Sequence, residues 1–132
     1  YPTPAWDALE EENLDAFFFL GDNVYGDIPS GELDYLKQSY ELFASVMPKW
    51  LKETELLVIW DDHDFGLNDG GSSYRYKAQS QELFNEFWGI PQNDTRRSRE
   101  GITLINISED IIYWYNVTTE CRFYHRKPNC IG

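Results

Sequence analysis

A chain of 132 residues is about the size of one domain and can bury roughly two-thirds of its unfolded surface around a single core. Its 11 Lys plus Arg against 23 Asp plus Glu give a net charge of −12, a field that repels phosphate backbones and anionic lipid, so nucleic acid is not expected as a stable partner. Hydrophobic residues at 42% and aromatics at 17% exclude a disordered acidic tail, and no apolar run approaches the roughly 20 residues of a membrane-spanning helix.

Residues 1–13 carry two prolines and the run Glu10-Glu11-Glu12, the pattern of a polar lead-in with a turn of helix. Ala16 to Leu20 is a continuous apolar run stopped by Gly21-Asp22, which predicts a strand buried on both faces. From Gly31 onward Leu33, Leu36, Tyr40, Phe43 and Met47 recur at helical spacing until Pro48, so a helix with an ordinary core stripe follows. Glu55 to Trp60 is a second apolar run, ended by Asp61-Asp62-His63-Asp64; strand, helix and strand together predict a parallel βαβ unit. A glycine-rich loop over 66–73 leads into Tyr76 to Trp88, where Leu83, Phe84, Phe87 and Trp88 mark another amphipathic helix. After a polar loop with Arg96, Arg97 and Arg99, the runs 102–107 and 111–117 read as a β-hairpin. No repeat or linker divides the chain.

Polar groups gather at 21–27 and 60–69, each directly after an apolar strand. In an open α/β sheet both stretches fall at the carboxyl ends of parallel strands, where ligands bind. Crowded carboxylates raise one another's pKa unless something neutralises them, and a cation is the natural remedy. The donors on offer are Asp22, Tyr25, Asp27, Asp61, Asp62, Asp64, Asn68 and Asp69, with His63 as the one imidazole among them. Such an oxygen-rich set suits calcium, magnesium or manganese, and a Tyr phenolate also suits ferric iron. An EF-hand starting at Asp64 fails, because Asp69 takes the glycine position and Arg75 the position of the bidentate Glu. The G-x-S-x-G, Walker A, H-E-x-x-H and G-x-G-x-x-G signatures are missing. His125, among Arg122, Arg126 and Lys127, reads as a basic-loop residue. The three arginines near 96–99 are open to an anionic substrate or to balancing local acidity.

The stretches Leu20-Gly21-Asp22-Asn23-Val24-Tyr25-Gly26-Asp27 and Trp60-Asp61-Asp62-His63-Asp64-Phe65-Gly66-Leu67-Asn68-Asp69 resemble the PhoD-like alkaline phosphatase and phosphodiesterase family of metallophosphoesterases. The resemblance spans most of Phe17 to Gly101, and the second stretch is its more specific part. It implies an α/β fold: part of a calcineurin-like αββα sandwich, with the parallel βαβ unit and a C-terminal hairpin. It also implies two metal ions, calcium with ferric iron, or magnesium or manganese in their place, and a phosphate mono- or diester as substrate. By position Asp22 matches the bridging metal ligand and Tyr25 the phenolate on ferric iron. Asp62 falls near the second metal, with Asn68 as a competing ligand, and His63 assists at the transition state. The family's upstream cysteine ligand and downstream Gly-Asp-x-His motif have no counterpart in these 132 residues, so the whole chain is expected to be a partial domain, weakly active alone. Competing readings are a non-catalytic cation-binding module or inactive paralogue, and a metal-independent glycosidase built on paired carboxylates.

Cys121 and Cys130, the two cysteines present, lack the spacing of a zinc or redox motif. Together with the acceptor triplets at Asn93, Asn106 and Asn116, they point to a secreted or lumenal glycoprotein.

Overall fold

The computed structural model describes residues 4–107 and 112–117; the expectations for Cys121, Cys130 and His125 lie outside them. The protein is a mixed α/β chain: helix α1 (Pro4–Glu10), strand β1 (Ala16–Leu20), helix α2 (Asp34–Val46), strand β2 (Glu55–Ile59), the one-turn helix α3 (Asp62–Phe65), helix α4 (Lys77–Phe87), and strands β3 (Ile102–Ile107) and β4 (Ile112–Val117). Strands β1 and β2 pair in parallel from Ala16↔Glu55 to Leu20↔Ile59, with α2 between them in sequence. Strands β3 and β4 form the expected antiparallel hairpin, and β3 lies alongside β2. No helix among the described residues is long and apolar enough to cross a membrane.

The helical stripes do what their spacing requires. Leu36 and Tyr40 of α2 and Phe84 of α4 are buried, and α2 and α4 meet through the tilted rings of Tyr40 and Phe87, centroids 4.5 Å apart. Phe19 of β1 touches both Phe43 and Trp88, so both helices cover the same face of the parallel sheet. Strand β2 is buried from Leu57 to Ile59, as a strand covered on both sides should be. Strand β1 departs from the expectation: Phe19 is buried, whereas Leu20 is 67% exposed. A homogeneous apolar run carries no period, so it could not tell a half-covered strand from a buried one. The lead-in is also more ordered than its composition suggests, because Trp6 of α1 packs on Phe17 and Trp50.

Candidate functional site

Two loops carry the acidic clusters, and their backbones nearly touch. Gly21 has φ +103°, and a Cβ there would stand 2.6 Å from the Asp61 Cβ and 2.9 Å from the Asp61 nitrogen. Only glycine permits both that conformation and that approach. Asp22 follows with φ +52°, a left-handed backbone that Asp tolerates better than most residues. The Asn23 side chain donates to the Ile59 carbonyl at 2.9 Å, tying the first loop to the end of β2.

Asp64 is the knot between the loops. It is fully buried and accepts from the Asn23 backbone N–H at 3.0 Å and from the Asp61 backbone N–H at 3.1 Å, the latter as part of the capping box that starts α3. Burial pushes its carboxyl up to about 7, against the hydrogen bonds from Asn23 and its neighbours, which pull the other way. The far end of α3 is held too, since Gly66 caps it at φ +92° and the buried Ser80 hydroxyl of α4 donates to the Phe65 carbonyl at 2.7 Å.

This frame brings Asp22, Asp62 and His63 together, each offering one ligand atom within 4.8 Å of the others. Four buried side-chain polar atoms lack a hydrogen-bond partner among the described residues, and only one, Asp22 Oδ1, belongs to a carboxylate. A buried anionic oxygen without a donor is costly. Ligand oxygens on one hard cation at about 2.3–2.6 Å lie no more than about 5 Å apart, so the donor chemistry, the spacing and the orphaned oxygen all fit a cation.

Tyr25 stands over this cluster. Its ring lies tilted against His63, centroids 4.3 Å apart, and its hydroxyl lies 3.4 Å from Asp22 Oδ2. The charge of Asp22 raises its pKa, with smaller pushes from partial desolvation, the Asp22 hydrogen bond, Asp64 and Asp62. Asn68 is exposed in the turn after α3, and its amide nitrogen donates to Asp69 Oδ2 at 3.1 Å.

Asp27, which the sequence offered as a cation donor, holds His63 instead: Nδ1 lies 2.5 Å from Asp27 Oδ1. The loop that carries Asp27 is seated by Gly26, where a Cβ would fall 2.5 Å from the Leu36 Cα, and by the Ser39 hydroxyl donating to the Tyr25 carbonyl at 2.7 Å. The Gly26-Asp27 dipeptide following Tyr25 was the available signal. Burial of the imidazole opposes its charging, but the hydrogen bond and charge of Asp27, helped by Asp62 and Asp22, outweigh it, and the His63 pKa is raised. The stability this pair contributes is therefore fully present below the unfolded value of about 6.5 and lost as pH rises through the folded value. Asp27→Asn is expected to flatten that part of the pH profile and bring the His63 pKa down, measured by urea midpoints at two pH values and by imidazole NMR titration.

Of the arginines offered for substrate, two are occupied by the fold. Arg96 grips Asp94 at 2.6 Å, and that hydrogen bond leads the effects holding the Asp94 carboxyl down to about 2. Arg97 reaches the Ile90 carbonyl at 2.6 Å and Glu82 at 2.7 Å. Arg99 is exposed. Neither protein-family models, curated proteins nor solved structures provide a match to this chain.

Proposed function

We propose that the chain carries part of a cation-dependent phosphoesterase site, acting on phosphate mono- or diesters. The observation that supports it most is the buried, donor-less Asp22 Oδ1 beside Asp62 and His63, at the carboxyl ends of two parallel strands. In this reading Asp22 and Asp62 hold a hard cation with His63 beside it, and Tyr25 and Asn68 complete the ligand set for calcium and ferric iron, or for magnesium or manganese. Cations of that kind supply Lewis acidity at a phosphoryl group. Asp27 fixes the His63 ring through Nδ1, so a protonated imidazole is turned as one unit toward developing negative charge or a leaving alkoxide. The acids that raise the Tyr25 pKa are those that attract the cation, and a positive charge on them reverses the field at the phenol. The expected setting is secreted or lumenal, with Asn93 exposed as an acceptor site.

One observation favours a second reading. Asp22, Asp62 and His63 are the single such group found among the described residues, which is what a non-catalytic one-cation module requires. Hydrolysis of aryl phosphate monoester and diester by the purified chain, with and without calcium plus ferric iron, separates the two. Cation-dependent turnover supports the phosphoesterase; saturable cation binding with no turnover favours the module; neither binding nor turnover ends both readings.

A further inference from the structure

The turn after α3 does more than connect it to α4. Asp69 has φ +51° and, with Asp22, is one of two described non-glycine residues in the left-handed region. Its backbone N–H donates to Asp62 Oδ2 at 2.7 Å. Around it the turn is tight: the Gly70 nitrogen donates to the Leu67 carbonyl at 2.6 Å, and a Cβ on Gly70 would stand 2.5 Å from that same oxygen. The Leu67 nitrogen donates back to the Asp62 carbonyl at 3.3 Å, so the turn folds onto the first residue of α3 through two separate bonds. The Asn68 amide braces the Asp69 carboxylate from outside.

We infer that the turn of residues 67–70 is a positioning device for Asp62, with the Asp69 backbone rather than its carboxylate as the working group. This inference rests on the cation-site reading for its purpose. A short charge-assisted bond from a fixed N–H sets the plane of the Asp62 carboxylate, which a side chain with two rotatable bonds would not hold by itself. Such outer contacts to a ligating carboxylate typically govern affinity by about 10–100-fold. The left-handed conformation at residue 69 lets the chain turn on into Gly70 while the 68–69 peptide keeps its N–H on Asp62, so residues that accept it should preserve the site and residues that resist it should not.

The test compares Asp69→Gly, Asp69→Asn and Asp69→Val by Mn²⁺ titration of the whole chain, alongside the NMR shift of the residue 69 amide proton. Gly and Asn both tolerate a left-handed backbone and keep the N–H, and they are expected to bind Mn²⁺ within about twofold of the parent. Val, β-branched, is expected to bind about tenfold more weakly and to move the amide proton upfield. Unchanged binding by Asp69→Val overturns the inference. Loss of binding in both Asp69→Gly and Asp69→Asn also overturns it, since the carboxylate would then be the working group. If the parent chain takes up no Mn²⁺, the cation reading falls instead, and the amide decides the turn by itself: an upfield move in Asp62→Asn supports the hold on Asp62, and an unmoved amide removes it.

Discussion

If Asp22 and Asp62 hold a cation as proposed, Asp22→Gly is expected to remove nearly all the stabilisation that the ion confers. Glycine is the replacement of choice because residue 22 has φ +52°, where alanine would add backbone strain of about 1–2 kcal/mol and confuse the result. At a cation concentration about a hundredfold above Kd, the parent should gain about 2.7 kcal/mol in unfolding free energy, read from denaturant midpoints with and without calcium or manganese. The variant should gain no more than about 0.4 kcal/mol. Changes in outer contacts alone cost about 10–100-fold in metal affinity, so removing the central carboxylate should weaken binding by at least about a hundredfold. The cation-free comparison carries a second signature. Asp22 Oδ1 is buried without a donor and sits near Asp62 and Asp64, so its removal also relieves an unsatisfied charge. The cation-free variant should therefore lose little stability while losing most of the response to the ion. A variant that keeps the parent's cation response would remove Asp22 from the site.

Gly21→Ala should produce the opposite pattern, with global damage whether or not an ion is offered. The added methyl meets the Asp61 Cβ at 2.6 Å and the Asp61 nitrogen at 2.9 Å, and these cannot swing aside because Asp61 is the N-cap of α3 and its N–H is bonded to Asp64. Overpacking of this kind costs about 1–3 kcal/mol, and the φ of +103° adds strain of similar size for any residue with a side chain. A loss of about 3 kcal/mol or more in urea unfolding is expected. The two acidic loops would be pushed apart by the same movement, so cation binding should fall with stability. Gly89→Ala provides the contrast, since Gly89 also has positive φ (+66°) but open space around its would-be Cβ; it should pay the strain alone. Equal costs at the two positions would show that close approach contributes nothing at Gly21.

The comparison of sequence with structure divides along physical lines. Elements with an internal period were legible: α2 and α4 from their apolar stripes, the hairpin from two β-rich runs, and the meeting of residues 22 and 62 from the rule that parallel strands present their carboxyl ends to one crevice. What the sequence left open depends on pairings across long separations. Nothing local in Asp61-Asp62-His63-Asp64 distinguishes the buried carboxylate that staples two loops from the one that faces the cluster, because the distinction is made by the Asn23 backbone. The role of Asp27 likewise required His63 to arrive from another part of the chain. The half-exposure of β1 was hidden for a different reason: five apolar residues in succession look the same whether one face or both are covered. The arginine loop was left between two roles by the sequence, an anionic substrate or the balancing of local acidity, and for Arg96 and Arg97 the structure shows the second: Arg96 holds Asp94 two residues before it, and Arg97 reaches Glu82 on α4.

The pairing of β1 with β2, Ala16 against Glu55 through Leu20 against Ile59, also sets an order of events in time. A hairpin such as β3–β4 can zip within about 1–10 μs of being made, whereas the parallel pair must wait for everything between its two strands. During synthesis at about 5–20 residues per second, the first acidic loop is made several seconds before the second exists. Throughout that interval Asp22 Oδ1 is open to water, and its burial without a donor begins only when Ile59 comes into register.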